Sequence, residues 1–150
     1  IGTKGVESSG FEFDLAGELL PGLQTSIGFT HFNIDVEDEI DANVADYTPE
    51  TLFKVAATYR VPQVEGLSLG MNMRWQDDIS RVQNDTPLIV TKQNAYALVN
   101  MMASYEINSQ VSVTANVNNV FDKKYVNSLY WAQGFYGAPR NYALSLNWSL

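Results

Sequence analysis

Seven separate runs of this sequence place an apolar side chain at every second residue, two of them for ten residues. Successive side chains of a β-strand point to opposite faces, so a two-residue period builds a ribbon with one greasy side and one wet side. No helical period competes anywhere along the chain. The cleanest run sets Leu67, Leu69, Met71, Met73 and Trp75 against Ser68, Gly70, Asn72, Arg74 and Gln76. Equivalent runs begin at Phe11, Leu23, Phe53, Ala97, Val111 and Tyr142.

The connections fall into two kinds. Short ones stand at 20–22, 62–66 and 106–110, and long ones at roughly 33–50, 77–94 and 119–138. They alternate strictly, which predicts an antiparallel up-and-down meander with its tight turns at one end and its long loops at the other. The expected fold class is therefore all-β, seven long strands in one continuous sheet with no linker or low-complexity segment.

Composition removes several function classes. A chain of 150 residues that is 45% apolar is not disordered. Without cysteine there is no disulfide framework or thiolate metal site. A net charge of −8 argues against a nucleic-acid partner. No apolar stretch is long enough for a membrane-spanning helix, and the opening residues do not read as a signal peptide. His31 is the single histidine, with no nucleophile at a credible spacing, so no enzyme is expected. No resident cofactor or metal is expected either. The acidic run with Asp35, Glu37, Asp38, Glu39, Asp41 and Asp46 lacks the Gly and terminal Glu of an EF-hand and reads as a solvated loop.

Alternation leaves open which face is outside. In a small soluble barrel of lipocalin type the apolar face turns inward around a ligand. In an outer-membrane barrel it meets lipid and the polar face lines a lumen; such a barrel could serve a receptor, an adhesin or an enzyme. Three features favour lipid. The runs match the roughly 9–11 tilted residues that span a bilayer. Their apolar face carries no Asp, Glu, Lys or Arg. Aromatic residues stand near its ends: Tyr59, Tyr105 and Trp148 towards the short turns, and Phe29, Phe53 and Trp75 towards the long loops, as interfacial girdles do. Bacterial single-chain barrels use an even strand number, so seven strands and a first residue Ile1 point to part of a larger barrel.

The run NVNNVFDKKY at 116–125, followed by GAPRNYALSLNW, resembles the C-terminal signature of TonB-dependent outer-membrane receptors. Asn116, Asn119, Val120, Phe121, Asp122 and Tyr125 match its first box, and Gly137, Pro139 and Arg140 match the second. KGVESSGFEFDLAGELLPG and YTPETLFKVAATYRVP resemble further strands of that family. The chain departs from the pattern at Leu150, where the family usually carries Phe, although Trp148 keeps the aromatic position two residues earlier.

The resemblance implies that residues 1–150 are the C-terminal third of a 22-stranded barrel, without the N-terminal plug domain and TonB box. It implies a Gram-negative outer-membrane protein that takes up a ferric siderophore of hydroxamate or pyoverdine type, energised by TonB. It also implies contact with outer-membrane lipid and lipopolysaccharide. Within that frame Tyr130, Trp131, Gln133, Phe135 and Tyr136 are the candidate ligand contacts. Their rings could stack on a chelate while Gln133 donates hydrogen bonds, or they could belong to the outer aromatic belt. Asp122 and Arg140 are expected to pair across the last hairpin in an architectural role.

Overall fold

A computed structural model describes residues 6–36, 48–83, 89–129 and 134–149. Its strands, in chain order, are β1 (Val6–Leu20), β2 (Leu23–Val36), β3 (Thr51–Arg60), β4 (Leu67–Gln76), β5 (Ile79–Gln83), β6 (Ile89–Gln93), β7 (Tyr96–Glu106), β8 (Val111–Asn118), β9 (Val126–Ser128), β10 (Phe135–Tyr136) and β11 (Asn141–Trp148). The seven long strands form one sheet in the order β1-β2-β3-β4-β7-β8-β11, every neighbouring pair antiparallel. The other four make two small hairpins, β5–β6 and β9–β10. Two of the long connections thus contain paired strands where the sequence suggested loop, and β2 runs on to Val36. Strands of five residues or fewer carry too few alternations to stand out from a loop.

Register keeps the two faces distinct across the whole sheet. Phe13, Phe29, Phe53 and Trp75 are successive partners on β1, β2, β3 and β4, forming an aromatic row towards the long-loop end. Tyr59, Tyr105 and Trp148 lie in the last two positions of β3, β7 and β11, beside the short turns. A one-residue slip would exchange the faces, so the continuity of this pattern fixes the pairing.

The polar face divides in two. Glu12, Asp14 and Glu18 on β1, Lys54 and Arg60 on β3 and Arg74 on β4 charge one half. Apart from Glu106 at a turn, β7, β8 and β11 present no charge there, only Asn, Ser and Thr among apolar side chains and Tyr96. Hydrogen bonds tie this neutral half together: Asn100 Nδ2 donates to Asn72 Oδ1 (2.8 Å), Ser104 pairs with Thr114 (2.9 Å), and Asn118 Nδ2 donates to Asn141 Oδ1 (2.9 Å). Lys54 stands directly opposite Arg74, and a side chain at Gly28 would meet Asp14 Oδ1 at 2.7 Å. Gly28 therefore leaves room for that carboxylate on the strand next to Lys54.

The tight turns are stitched sideways. Gly22 and Gly66 both take φ +82°, a left-handed backbone that costs other residues about 1–2 kcal/mol. Their carbonyls accept from the N–H groups of Arg60 and Glu106, each at 2.9 Å. The third turn repeats the pattern, Ser149 N–H donating to Gln110 O at 2.9 Å.

The described residues form no core against this sheet. Among the described residues the buried apolar side chains are Ile79, Tyr96 and Leu129, all near the long-loop end. On the apolar face Leu144, Tyr142 and Leu146 are 77%, 71% and 70% exposed. Such a face is stable only against hydrocarbon or more protein, and its spans and girdles suit hydrocarbon. Neighbouring positions on β11 test this in the full-length protein reconstituted in vesicles. Leu144→Arg is expected to lower stability in a urea titration by about 2–4 kcal/mol. Ser145→Arg, on the polar face, is expected to change it by no more than about 0.5 kcal/mol.

Candidate functional site at the long-loop end

The box after β8 is a folded knot built around one amide. Asn119 is 5% exposed and takes φ +51°, a conformation that Asn tolerates better than most residues. Its backbone N–H donates to Asn100 Oδ1 at 2.8 Å. Its side-chain Oδ1 accepts from Lys123 N–H at 2.8 Å, while Nδ2 donates to the carbonyls of Lys123 (2.9 Å) and Ala138 (3.1 Å). One residue, through its backbone N–H and its side chain, thereby ties β7, the exit of β8 and the approach to β11.

Asp122, also at φ +51°, closes the turn through its N–H to Asn119 O (2.8 Å). Its Oδ1 accepts from the backbone N–H of Arg140 at 2.9 Å. The sequence suggested a side-chain pairing of Asp122 with Arg140. The contact is instead to the backbone, and the guanidinium reaches Val120 O at 3.4 Å. Asn116 faces Ala143 and Met102 across the ladder, and Phe121 is 73% exposed.

Tyr125 and Gly137 fit one another. Gly137 N–H donates to Tyr125 O at 2.9 Å, and any side chain at Gly137 would occupy the space of the Tyr125 ring. That ring stacks on Tyr96 with centroids 4.8 Å apart. Tyr96 Oη–H in turn donates to Gln76 Oε1 (2.9 Å), which also accepts from Arg74 Nη2 (3.1 Å). Since Tyr96 and Gln76 are partners on the polar face, the loop after β8 leans over that side of the sheet. Pro139 offers its carbonyl to Asn141 Nδ2 at 2.9 Å and leads into β11.

Of the candidate ligand contacts, Tyr130, Trp131 and Gln133 lie outside the described residues. Phe135 and Tyr136 form β10, are 58% and 80% exposed, and pair with Ser128 and Val126 of β9. Tyr136 also borders a groove of about 390 Å³ lined by Asp122, Lys123, Lys124, Tyr125, Gly137 and Pro139. An open groove with two lysines and two tyrosines suits an anionic aromatic ligand. Of the acidic run only Asp35 is described, at the outer end of β2, and Glu37, Asp38, Glu39, Asp41 and Asp46 lie outside. His31 Nδ1 lies 3.0 Å from Thr51 Oγ1, at the strand edge beside Phe11.

Sequence reasoning missed the partners of this loop. Arg81 Nη1 on β5 donates to Leu129 O (3.1 Å), and Val126 N–H donates to Gln93 Oε1 on β6 (2.7 Å). The contacts join residues 48 and 33 positions apart, and no local pattern signals them. Just before β5, Asp78 Oδ2 meets Lys92 Nζ of β6 at 2.9 Å, the one ion pair among the described residues. Lys92 holds the exposed Asp78 carboxyl below its ordinary range. Whatever the pair contributes is thus present above the usual carboxylate titration and lost as pH falls through the lowered value.

Asn119→Ala is expected to cost about 2–4 kcal/mol, because it strands the Lys123 and Ala138 partners along with the turn. Asn118→Ala, removing a single exposed contact, is expected to cost less than about 1 kcal/mol; urea titration of the reconstituted full-length protein separates them.

Comparison with known proteins agrees with this architecture. Residues 2–120 match the family model described as TonB dependent receptor-like, beta-barrel. The chain is 35% identical over 145 residues to the ferric-pyoverdine 358 receptor of Pseudomonas putida, covering 96% of this chain and 17% of that protein. Against the ferripyoverdine receptor of Pseudomonas aeruginosa the identity is 32% over 152 residues, covering 97% and 18%. The solved structure of the pyoverdine outer membrane receptor FpvA from Pseudomonas aeruginosa bound to pyoverdine superposes with a TM-score of 0.84 at 30% identity, covering 97% of this chain and 22% of that one. The chain thus spans less than a fifth of the length of these two curated relatives.

Proposed function

This chain belongs to the TonB-dependent receptor β-barrel family, and from that premise we propose that the whole protein imports a ferric siderophore across the outer membrane. The chain supplies seven strands of barrel wall and the long connections at one end. Iron is cargo here, carried in by its chelator, and the protein needs no resident cofactor. Members of this family act as receptors and transporters rather than enzymes, so the work is binding and conformational. TonB would energise release into the periplasm through a plug domain elsewhere in the protein. Lipopolysaccharide and phospholipid would cover the apolar face.

One observation carries the choice of cargo: two relatives matched over nearly the whole chain are receptors for ferric pyoverdine. The geometry supports the same reading. Exposed Tyr136 borders a groove with Lys123 and Lys124, and exposed Phe135 precedes it on β10, on a loop that leans over the polar face. Aromatic rings can stack on a flat chromophore, and lysines can attract an anionic chelate.

Two experiments test this. A strain deleted for the gene, grown on single iron chelates, is expected to lose growth on a ferric pyoverdine and to keep it on unrelated chelates. Growth retained on every chelate would refute the reading. In the purified full-length receptor, Tyr136→Ala is expected to raise the Kd for that chelate roughly two- to tenfold, measured by equilibrium dialysis with radio-iron.

A further inference from the structure

We infer that the β5–β6 hairpin is a splint for the chelate-binding loop, with Arg81 and Gln93 as positioning residues that hold β9 so that β10 presents Phe135 and Tyr136 in fixed places. This inference rests on the siderophore reading above and assigns a task to a segment which that reading leaves idle.

The hairpin sits between β4 and β7 in the chain but takes no part in the main sheet. Its two strands each reach across to the next connection. Gln93 Oε1 accepts the Val126 N–H at 2.7 Å, and Gln93 Nε2 is itself held by Asn94 O at 2.7 Å, so the amide cannot turn freely. Arg81 Nη1 donates to Leu129 O at 3.1 Å. These bonds grip β9 at its first residue and just past its last.

An apolar contribution accompanies the grip. Leu129 is 3% exposed and Ile79, at the start of β5, is 6% exposed, two of the three buried apolar side chains among the described residues. Arg81 Nε is buried and has no hydrogen-bond partner among the described residues. Desolvating part of a guanidinium is unfavourable, so a casual surface arginine would swing out into water. Arg81 instead stays against the loop, as a side chain does when neighbouring packing holds it. A two-residue strand such as β10 cannot keep its own geometry, and it inherits order from β9, to which it is paired.

Chelate binding should therefore depend on residues that never touch the chelate. A loop already ordered before binding loses less conformational entropy on binding, which appears as affinity. Substitution of Gln93 offers a clean pair of variants. Gln93→Glu keeps an oxygen acceptor for Val126 N–H, and Gln93→Leu removes it at similar size.

The test uses the full-length receptor in detergent, with two readouts on the same samples. Hydrogen exchange is followed at the peptide containing Val126 in the ligand-free receptor, with the wall strands β3 and β4 as the control for folding. Binding of radio-iron ferric pyoverdine gives the Kd. Gln93→Leu is expected to speed exchange at Val126 about three- to tenfold and to raise the Kd by a similar factor. Gln93→Glu should return both to within about twofold of the wild type, and Arg81→Leu, which removes the other bond to the β9 segment, should act like Gln93→Leu and takes its place if Gln93→Leu is poorly folded in the control strands.

Faster exchange with an unchanged Kd would overturn the splint, since the order of β9 would then be irrelevant to binding. Unchanged exchange in Gln93→Leu would overturn it as well. A wild-type receptor that binds no ferric pyoverdine, ferrioxamine B or ferric catecholate would instead refute the siderophore reading, and the exchange data would show that failure to be separate from the grip on β9.

Discussion

Everything in this molecule follows from an apolar sheet face that the chain does not cover. Soluble domains of this size bury their greasy side chains in a core, and burial of that kind provides most of their stability. Here the described residues put no second layer on the seven-stranded sheet, and its last strand, β11, is exposed along its length. Hydrocarbon is the covering that the sheet's strand lengths and aromatic rows suit. In that medium each backbone amide must find its partner inside the sheet, and a closed antiparallel ladder is one of only two arrangements that satisfy them all. The strict alternation of the sequence is the chemical record of that demand.

The same demand explains how much of the fold could be read directly. A strand exposed to lipid on one side and to a polar lumen on the other must alternate along its whole length. Runs such as 67–76 therefore announce themselves, and so do the glycine-bearing turns at Gly22 and Gly66 between them. The small hairpins were illegible for the opposite reason. Ile79–Gln83 and Val126–Ser128 are short strands outside the seven-stranded sheet, and nothing forces a two-beat pattern on them.

The site shows a comparable division. The Asn119, Asp122, Tyr125 and Gly137 positions were visible as a motif, but a motif states no mechanism. The structure supplies one: a single amide satisfying three backbone groups, and a glycine that makes room for a ring. The pairing of Asp122 with Arg140 was legible as a partnership, yet the atoms were not, because the bend before β11 presents the Arg140 amide before its side chain. Arg81 and Gln93 gave no sign at all. Their partners are carbonyl and amide groups of the backbone, which every residue possesses, so side-chain identity at the other end carries no information.

Each long strand pairs with its predecessor and successor in the meander, and the tight turns are laced to their neighbours by single amide bonds at Gly22, Gly66 and Gln110. Such a sheet has no step that must wait for distant parts of the chain to meet. Every hairpin that docks leaves a fresh row of donors and acceptors as the template for the next, and loop closure between neighbours carries little entropic penalty. Insertion can thus proceed ribbon by ribbon in register, each added turn locking the one before it, much as a zip fastener advances without reference to its far end.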